Sequence, residues 1–413
     1  MTVAAFMDVA LYDPEFGYYA RAAQRSGRAG DFFTSVDVGP LFGELLEVQI
    51  AEMFEILGSG HIGPPLPRHD VKVDPRVGPP LQLHDVGADL RVGPFDLVEA
   101  GAGNGRLSAD LLCAARRRDP ACYDSIRLHL VEASAAARAV HASTLADVAD
   151  RLCSSSPTLP DSFEGVLLAN ELLDAMPVHQ VVMGEDGLRE MYVAHEAWIS
   201  HESTKTRNKG SGFVLSRFRG GSGSLRVIEG PASTPALAAY LDRLGITLEP
   251  GWRAEINLRA IEWVHDAARR LRRGFIVIID YGHEARELYS VTHAGGTLTA
   301  YAGHRSGGPE SASGDSPWLS NPGEQDLTTH VDFTSVRAAA EAEGMITIGY
   351  LDQTYFLVGL LQAISDPQSA IRNPQFKTLI MPGGLGSTHK VLLLGKGVGR
   401  PSLKGCSFKV RVT

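Results

Sequence analysis

The chain has 413 residues, enough to bury a large core, and it contains no apolar run of about 18 residues or more that could span a membrane. Its formal net charge of −9 argues against general nucleic-acid binding. Cys113, Cys122, Cys153 and Cys406 are scattered without C-x-x-C spacing, which points to a reducing compartment and predicts neither a metal site nor a disulfide framework.

Residues 1–60 read as an N-terminal helical, lid-like extension. It comprises an amphipathic opening, the aromatic patch Tyr12 to Tyr19, a polar loop Gly30 to Ser35 between aromatics, and a helix from Leu41 to Leu57. Residues 61–94 are a Gly/Pro-rich loop in which 63–77 and 78–92 repeat in tandem. The recurring Gly-Pro-Pro excludes a helix, and two copies are too short for a solenoid. His69 and His84 each precede an aspartate there, but a duplicated loop necessarily repeats its histidines, so no metal clip is inferred.

The most informative stretch follows. Phe95, Leu97 and Val98 approach Glu99, then Gly101, Gly103 and Gly105 stand at every second position, and Leu107 to Ala115 reads as a helix. A strand, a glycine turn and a helix start make a cofactor cradle: glycines permit sharp turning and close approach, and free helix N–H groups favour electron-rich ligand atoms. The E-x-G-x-G-x-G spacing departs from the dinucleotide pattern. Ile126 to Val131 is a second strand, followed by Glu132, where such folds place a carboxylate on ribose hydroxyls. A solvated acid at a strand end is the plainer alternative.

Gly165 to Asn170 and Gly274 to Gly282 are further apolar strands ending in polar residues, as parallel sheets do at their sites. Between them, 181–269 reads as an insertion of short strands with a polar loop from Ser200 to Arg226. Residues 303–325 are another Gly/Ser/Pro loop, and Ile346 to Leu361 with Lys390 to Gly395 form the antiparallel pair expected to close the sheet. The fold class is α/β: a mostly parallel Rossmann-like sheet with helices on both faces, drawn from 95–180 and 270–413.

Several ordered stretches together resemble the MidA-type family of S-adenosylmethionine (SAM) methyltransferases. They are Tyr12 to Tyr19, Gly30 to Ser35 with Phe42-Gly43-Glu44, the glycine turn after Glu99, Ala169 to Val178, Ile279 to Gly282, Gly296 to Leu298 with Tyr301, and Pro322 to Phe333. The resemblance implies the class I methyltransferase fold, SAM as cofactor with Glu99, Gly101, Gly103, Gly105, Glu132 and Asn170 around it, and a protein arginine as acceptor. Eukaryotic members act on a respiratory complex I subunit. Ala102 replaces the family's usual proline, and the tandem repeat and the 306–320 loop are insertions. The opening residues carry no mitochondrial leader, so a bacterial cytoplasmic protein is expected, or a matrix protein if the chain is eukaryotic and lacks its leader. Nucleic acid is not an expected partner, and a homo-oligomer stays open.

Methyl transfer is an in-line displacement in which the protein positions the nucleophile. A guanidinium is protonated and needs carboxylates to orient it. Glu171 and Asp174, just beyond a strand end, are the candidates, with a helix N-terminal charge pair as the alternative. His330 and Asp332 bracket Val331, so in a strand they would share a face as base and orienting carboxylate; a loop-capping histidine is equally ordinary. Asp280 and Tyr281 could line the same mouth, and the Tyr12–Tyr19 cluster could roof it or simply pack. The rival functions are a small-molecule methyltransferase and an assembly or chaperone-like protein on the same fold.

Overall fold

The computed structural model describes residues 1–22, 34–58, 95–195, 225–302, 305–306, 316–364, 367–382 and 384–408, and among these the apolar runs assemble into three sheets. β1 (Phe95–Ala100), β2 (Ile126–Val131), β3 (Leu152–Ser156) and β4 (Phe163–Asn170) belong to the central sheet. The chain then builds an antiparallel sheet from β5 (His179–Gly184), β6 (Gly187–His195), β7 (Leu225–Pro231) and β8 (Arg253–Ile256). The long β9 (Leu271–His283) returns to the central sheet. A small sheet of β10 (Thr299–Ala302), β11 (Arg305–Ser306) and β12 (Asp326–Thr328) follows, and β13 (Val331–Asp332) pairs in parallel with the end of β9. β14 (Ile346–Asp352) and β15 (His389–Lys396) complete the central order β14-β15-β9-β4-β1-β2-β3.

From β3 to β9 that sheet is parallel, and β15 runs antiparallel to both its neighbours, β9 and β14. The chain builds outward from β1 to β3 and then restarts at β4 on the other side of β1. Such a switch point leaves a crevice beyond the carboxyl ends of β1 and β4.

Parallel strands covered on both faces must be apolar throughout, and alternate residues must serve opposite layers. Leu97, Leu168, Val277 and Leu393 meet Phe42, Leu111 and Phe356 on one side, whereas Val98, Leu167, Ile276 and Leu392 meet Val264, Ala267 and Val336 on the other. The mostly parallel α/β sheet expected from the sequence is therefore present.

Three local expectations differ from the structure. Helix Leu41–Gly58 is no lid: Phe42, Leu45 and Leu46 are buried in the central core, and Glu44 pairs with Arg117 and Arg118 at 2.9 and 3.2 Å. Helix Val3–Tyr12 instead packs Val3, Phe6 and Met7 against Val182, Met191 and Val193 of the second sheet. Helix Leu258–Arg270, which the sequence assigned to the insertion, buries Ala260, Val264 and Ala267 under the central sheet. The expected strand to Leu361 ends at Asp352, because Phe356, Leu357 and Leu360 recur at helical spacing and fill the core from helix Gln353–Leu361. The tandem repeat 63–92 lies outside the described residues. Among those described, no helix is long and apolar enough to cross a membrane.

If helix Leu41–Gly58 is core, Phe42→Ala should cost about 3–5 kcal/mol in denaturant unfolding. A change below about 1 kcal/mol would show that the helix is a detachable extension.

Candidate functional site

The crevice beyond β1, β2 and β4 is a cavity of about 570 Å³. Its floor is the glycine turn. Gly101, Gly103 and Gly105 have φ of +72°, +52° and +86°, a left-handed backbone that side chains with a Cβ resist. The N–H groups of Gly101 and Ala102 donate to the Val131 carbonyl at 2.9 and 3.1 Å, tying the turn to the end of β2. His141 Nε2 donates to the Gly103 carbonyl at 2.9 Å. A Cβ built on Gly103 meets nothing within 4 Å, so this face of the turn is open to the cavity. Gly105 is the N-cap of helix Arg106–Arg118 and offers no side-chain cap; Asn104 Oδ1 instead accepts the Arg106 N–H at 3.1 Å.

Two carboxylates flank the turn. Glu132 Oε2 accepts the Gly103 N–H at 2.9 Å and Oε1 the Ser134 N–H at 2.8 Å. Burial nevertheless pushes its carboxyl above the ordinary value. Glu132 is thus no solvated surface acid. Glu99, the penultimate residue of β1, has its carboxylate accepting the Ser108 hydroxyl, and burial pushes it up to about 7. Asn170, at the end of β4, has a buried Oδ1 without a hydrogen-bond partner.

The turn after β4 carries the other candidates. Glu171 adopts φ +50°, a conformation that costs a non-glycine residue about 1–3 kcal/mol, and its N–H is held by the Ile279 carbonyl at 2.8 Å. Its Oε1 accepts from the Ser35 N–H at 3.2 Å and Asn170 Nδ2 at 3.3 Å, with His389 Nε2 3.8 Å away. Oε2 is buried and unpartnered. Asp174 Oδ2 accepts the Thr328 hydroxyl at 2.9 Å; burial, and then repulsion from Glu171, push this carboxyl up to about 6. Both residues line the cavity, and no helix begins at either, so the macrodipole alternative does not apply. Asp280 lies beneath: its Oδ2 accepts the Leu172 and Leu173 N–H groups at 3.1 and 2.8 Å, and Oδ1 accepts the Tyr281 N–H.

Tyr12, Tyr18 and Tyr19 line the cavity as well. Tyr12 donates to the Ala175 carbonyl at 3.0 Å and Tyr19 to Asp326 at 2.9 Å, so the aromatic patch both packs and walls the site. Asp326, Thr328, Ser35 and His141 were not singled out by sequence reasoning. The first three lie inside stretches that carry the family resemblance, a signal that could have found them; His141 had none.

His330 does not join Glu171 and Asp174 in lining this cavity. Its ring stands edge-on to Tyr281 at 4.3 Å and beside His283 and His293. Burial and those two imidazoles push it down to about 3. The expected pairing with Asp332 is absent, since β13 begins only at Val331 and strand alternation does not reach His330. Asp332 caps helix Phe333–Ala342 through the Thr334 and Ser335 N–H groups and takes the Tyr240 hydroxyl at 2.7 Å.

Comparison with known proteins supplies the context for this geometry. The chain is 25% identical to the mitochondrial protein arginine methyltransferase NDUFAF7 homolog of Drosophila melanogaster, over 96% of this chain and 82% of that protein. It is 27% identical to the mitochondrial protein arginine methyltransferase NDUFAF7 of Mus musculus, over 86% and 70%. A solved structure from Burkholderia thailandensis, bound to S-adenosyl-homocysteine, superposes with a TM-score of 0.75 at 26% identity, covering 100% of this chain and 92% of that one. The family model described as S-adenosyl-L-methionine-dependent methyltransferase matches residues 82–351, more than half of the chain. The chain therefore belongs to this methyltransferase family and is an enzyme that uses SAM.

Proposed function

We propose that the enzyme methylates an arginine side chain of a protein partner. The observation that carries this reading is the pair Glu171 and Asp174: two cavity carboxylates, one with a buried unpartnered oxygen, to which no lysine or arginine among the described residues is paired. A guanidinium would satisfy both. The names of the similar proteins support the same acceptor.

On the cofactor side, the open face at Gly103 leaves room for the ligand, Glu132 suits a diol, Glu99 suits an ammonium, and Asn170 Oδ1 lacks a donor. Bound SAM supplies an electrophilic methyl group on a sulfonium. Glu171, fixed by the Ser35 N–H and by Asn170, would orient the guanidinium and hold its positive charge away from the attacking nitrogen. Asp174, pushed up to about 6, is suited to take the proton the guanidinium releases as its nitrogen is alkylated. A small-molecule acceptor is the second reading; the tyrosine wall of Tyr12, Tyr18 and Tyr19 favours it. The four cysteines are free, which fits the cytoplasmic location we also propose.

Glu132→Ala removes a charged hydrogen-bond acceptor worth about 1.5–3 kcal/mol per bond, so SAM affinity measured by calorimetry should weaken at least about tenfold. A loss below about twofold would remove Glu132 from the cofactor's ligands.

Glu171→Gln keeps size but not charge. SAM affinity should survive while methyl transfer to an arginine-containing protein falls by about 10² or more, because positioning in the transition state is lost. Full turnover, or a methylated product other than arginine, would sink the arginine reading in favour of the small-molecule one.

The pH dependence has a defined sign. Below about 6 Asp174 is increasingly neutral and can neither hold a cation nor take its proton, so kcat/KM for the acceptor should fall about tenfold per unit on the acid side. Asp174→Asn should abolish that limb; a wild-type profile without it would disprove the role.

A further inference from the structure

Three histidines that the reaction does not use converge beside the site. His283 closes β9, His293 closes the 3₁₀ turn Val291–His293, and His330 immediately precedes β13, whose Val331 lies opposite Gly282 in the parallel ladder. Their ring centroids are 4.9, 5.2 and 5.3 Å apart, and one ring nitrogen from each lies within 4.8 Å of the others. The Nδ1 atom of His330 is buried without a hydrogen-bond partner. A buried imidazole nitrogen left in that state is an unfavourable arrangement unless something else binds it.

Glu287 organises two of the rings. Its Oε1 lies 3.0 Å from His283 Nδ1, and its backbone carbonyl accepts from His293 Nδ1 at 3.1 Å, which leaves His293 Nε2 as the basic nitrogen. An outer acceptor that fixes the tautomer and orientation of a ring is what metal-bound histidines characteristically have.

We infer that His283, His293 and His330 form a binding site for a divalent transition-metal ion, zinc being the ion the donor set fits best. Neutral imidazoles are borderline donors that select zinc, copper or nickel over magnesium or calcium, which require oxygen. Three histidines with a fourth position open to water match tetrahedral zinc. Zinc–nitrogen distances of about 2.0–2.1 Å put tetrahedral ligands roughly 3.3 Å apart, so the rings need draw together only by side-chain rotation. The bound ion staples the turn after β9 to β9 and to the segment entering β13. That segment also carries Thr328 and Thr329, which hold Asp174 through Oδ2 and through its carbonyl.

The test uses the full chain without a histidine tag, stripped with chelator, reloaded with zinc chloride and dialysed. Wild type should retain close to one zinc per chain by elemental analysis, melt several degrees higher with zinc, and give the strong visible absorption of tetrahedral cobalt when loaded with Co²⁺. His293→Ala sits on a surface turn; it should lose retention, melting shift and absorption while keeping its circular dichroism and SAM affinity. Glu287→Ala should weaken retention about tenfold or more. Equal zinc in wild type and His293→Ala, or cobalt binding without tetrahedral absorption, would overturn the site.

Discussion

The arrangement depends on one buried carboxylate. Asp280 is fully inaccessible, and its two oxygens collect the N–H groups of Leu172, Leu173 and Tyr281. Burial first, and then repulsion from Asp174, push its carboxyl well above the ordinary range. Those three N–H groups belong to the turn after β4 and to β9, so Asp280 ties the two strands together just where the sheet must end and the chain must reverse. With Leu172 and Leu173 fixed, Glu171 is held in its left-handed conformation, a strain that isolated residues relax. Its neighbour Asp174 is fixed from the other side by Thr328 and Thr329.

This clustering has an electrostatic consequence. Glu99, Glu132, Glu171 and Asp174 line one cavity, and Asp280 lies behind it. Each raises the cost of ionising another: Asp174 is raised by Glu171, Asp280 by Asp174, Glu99 by Glu132. Like charges gathered in a low-dielectric crevice focus a negative potential, and that potential favours cationic ligands. A sulfonium cofactor is a cation, and so is the guanidinium acceptor proposed above. The cluster is therefore unfavourable for the empty protein and favourable for the loaded one, which is the trade seen where function and stability compete.

The cofactor side was legible in the sequence because its constraints are local. Three positive φ values within five residues require glycine, and an acid one strand later is close to the turn in any parallel sheet. The carboxylate turn beyond β4 was only half legible. Glu171 and Asp174 follow a strand end, but their environment comes from Ser35, Thr328 and His389, far away in the chain. The His330–Asp332 pairing failed because alternation was applied to a strand only two residues long. The amphipathic pattern of helix Leu41–Gly58 says only that one face is covered, not by what, so it does not distinguish a lid from a core helix. The three clustered histidines span 283 to 330 and carry no motif spacing, so neither cysteine spacing nor the repeated His-Asp pairs point to them.

The turn from Glu171 to Met176 is where the lobes of the protein meet. The central sheet holds it through Ile279 and Asp280, and the first helix through the Tyr12 hydroxyl on the Ala175 carbonyl. Asn257, just past β8, donates to the Leu173 carbonyl at 3.0 Å, and the β12–β13 segment supplies Thr328 and Thr329. Helix Val3–Tyr12 packs in turn on the second sheet, so that sheet bears on the turn twice, through Asn257 and through Tyr12. The glycine turn, by contrast, is braced among the described residues from the central sheet and its helices, by Val131, Glu132 and His141. The inserted sheet and the N-terminal helix thus bear on the carboxylate turn, while the glycine turn rests on the central sheet. On the reading proposed above, cofactor chemistry belongs to the core of the fold and acceptor choice to the parts added to it.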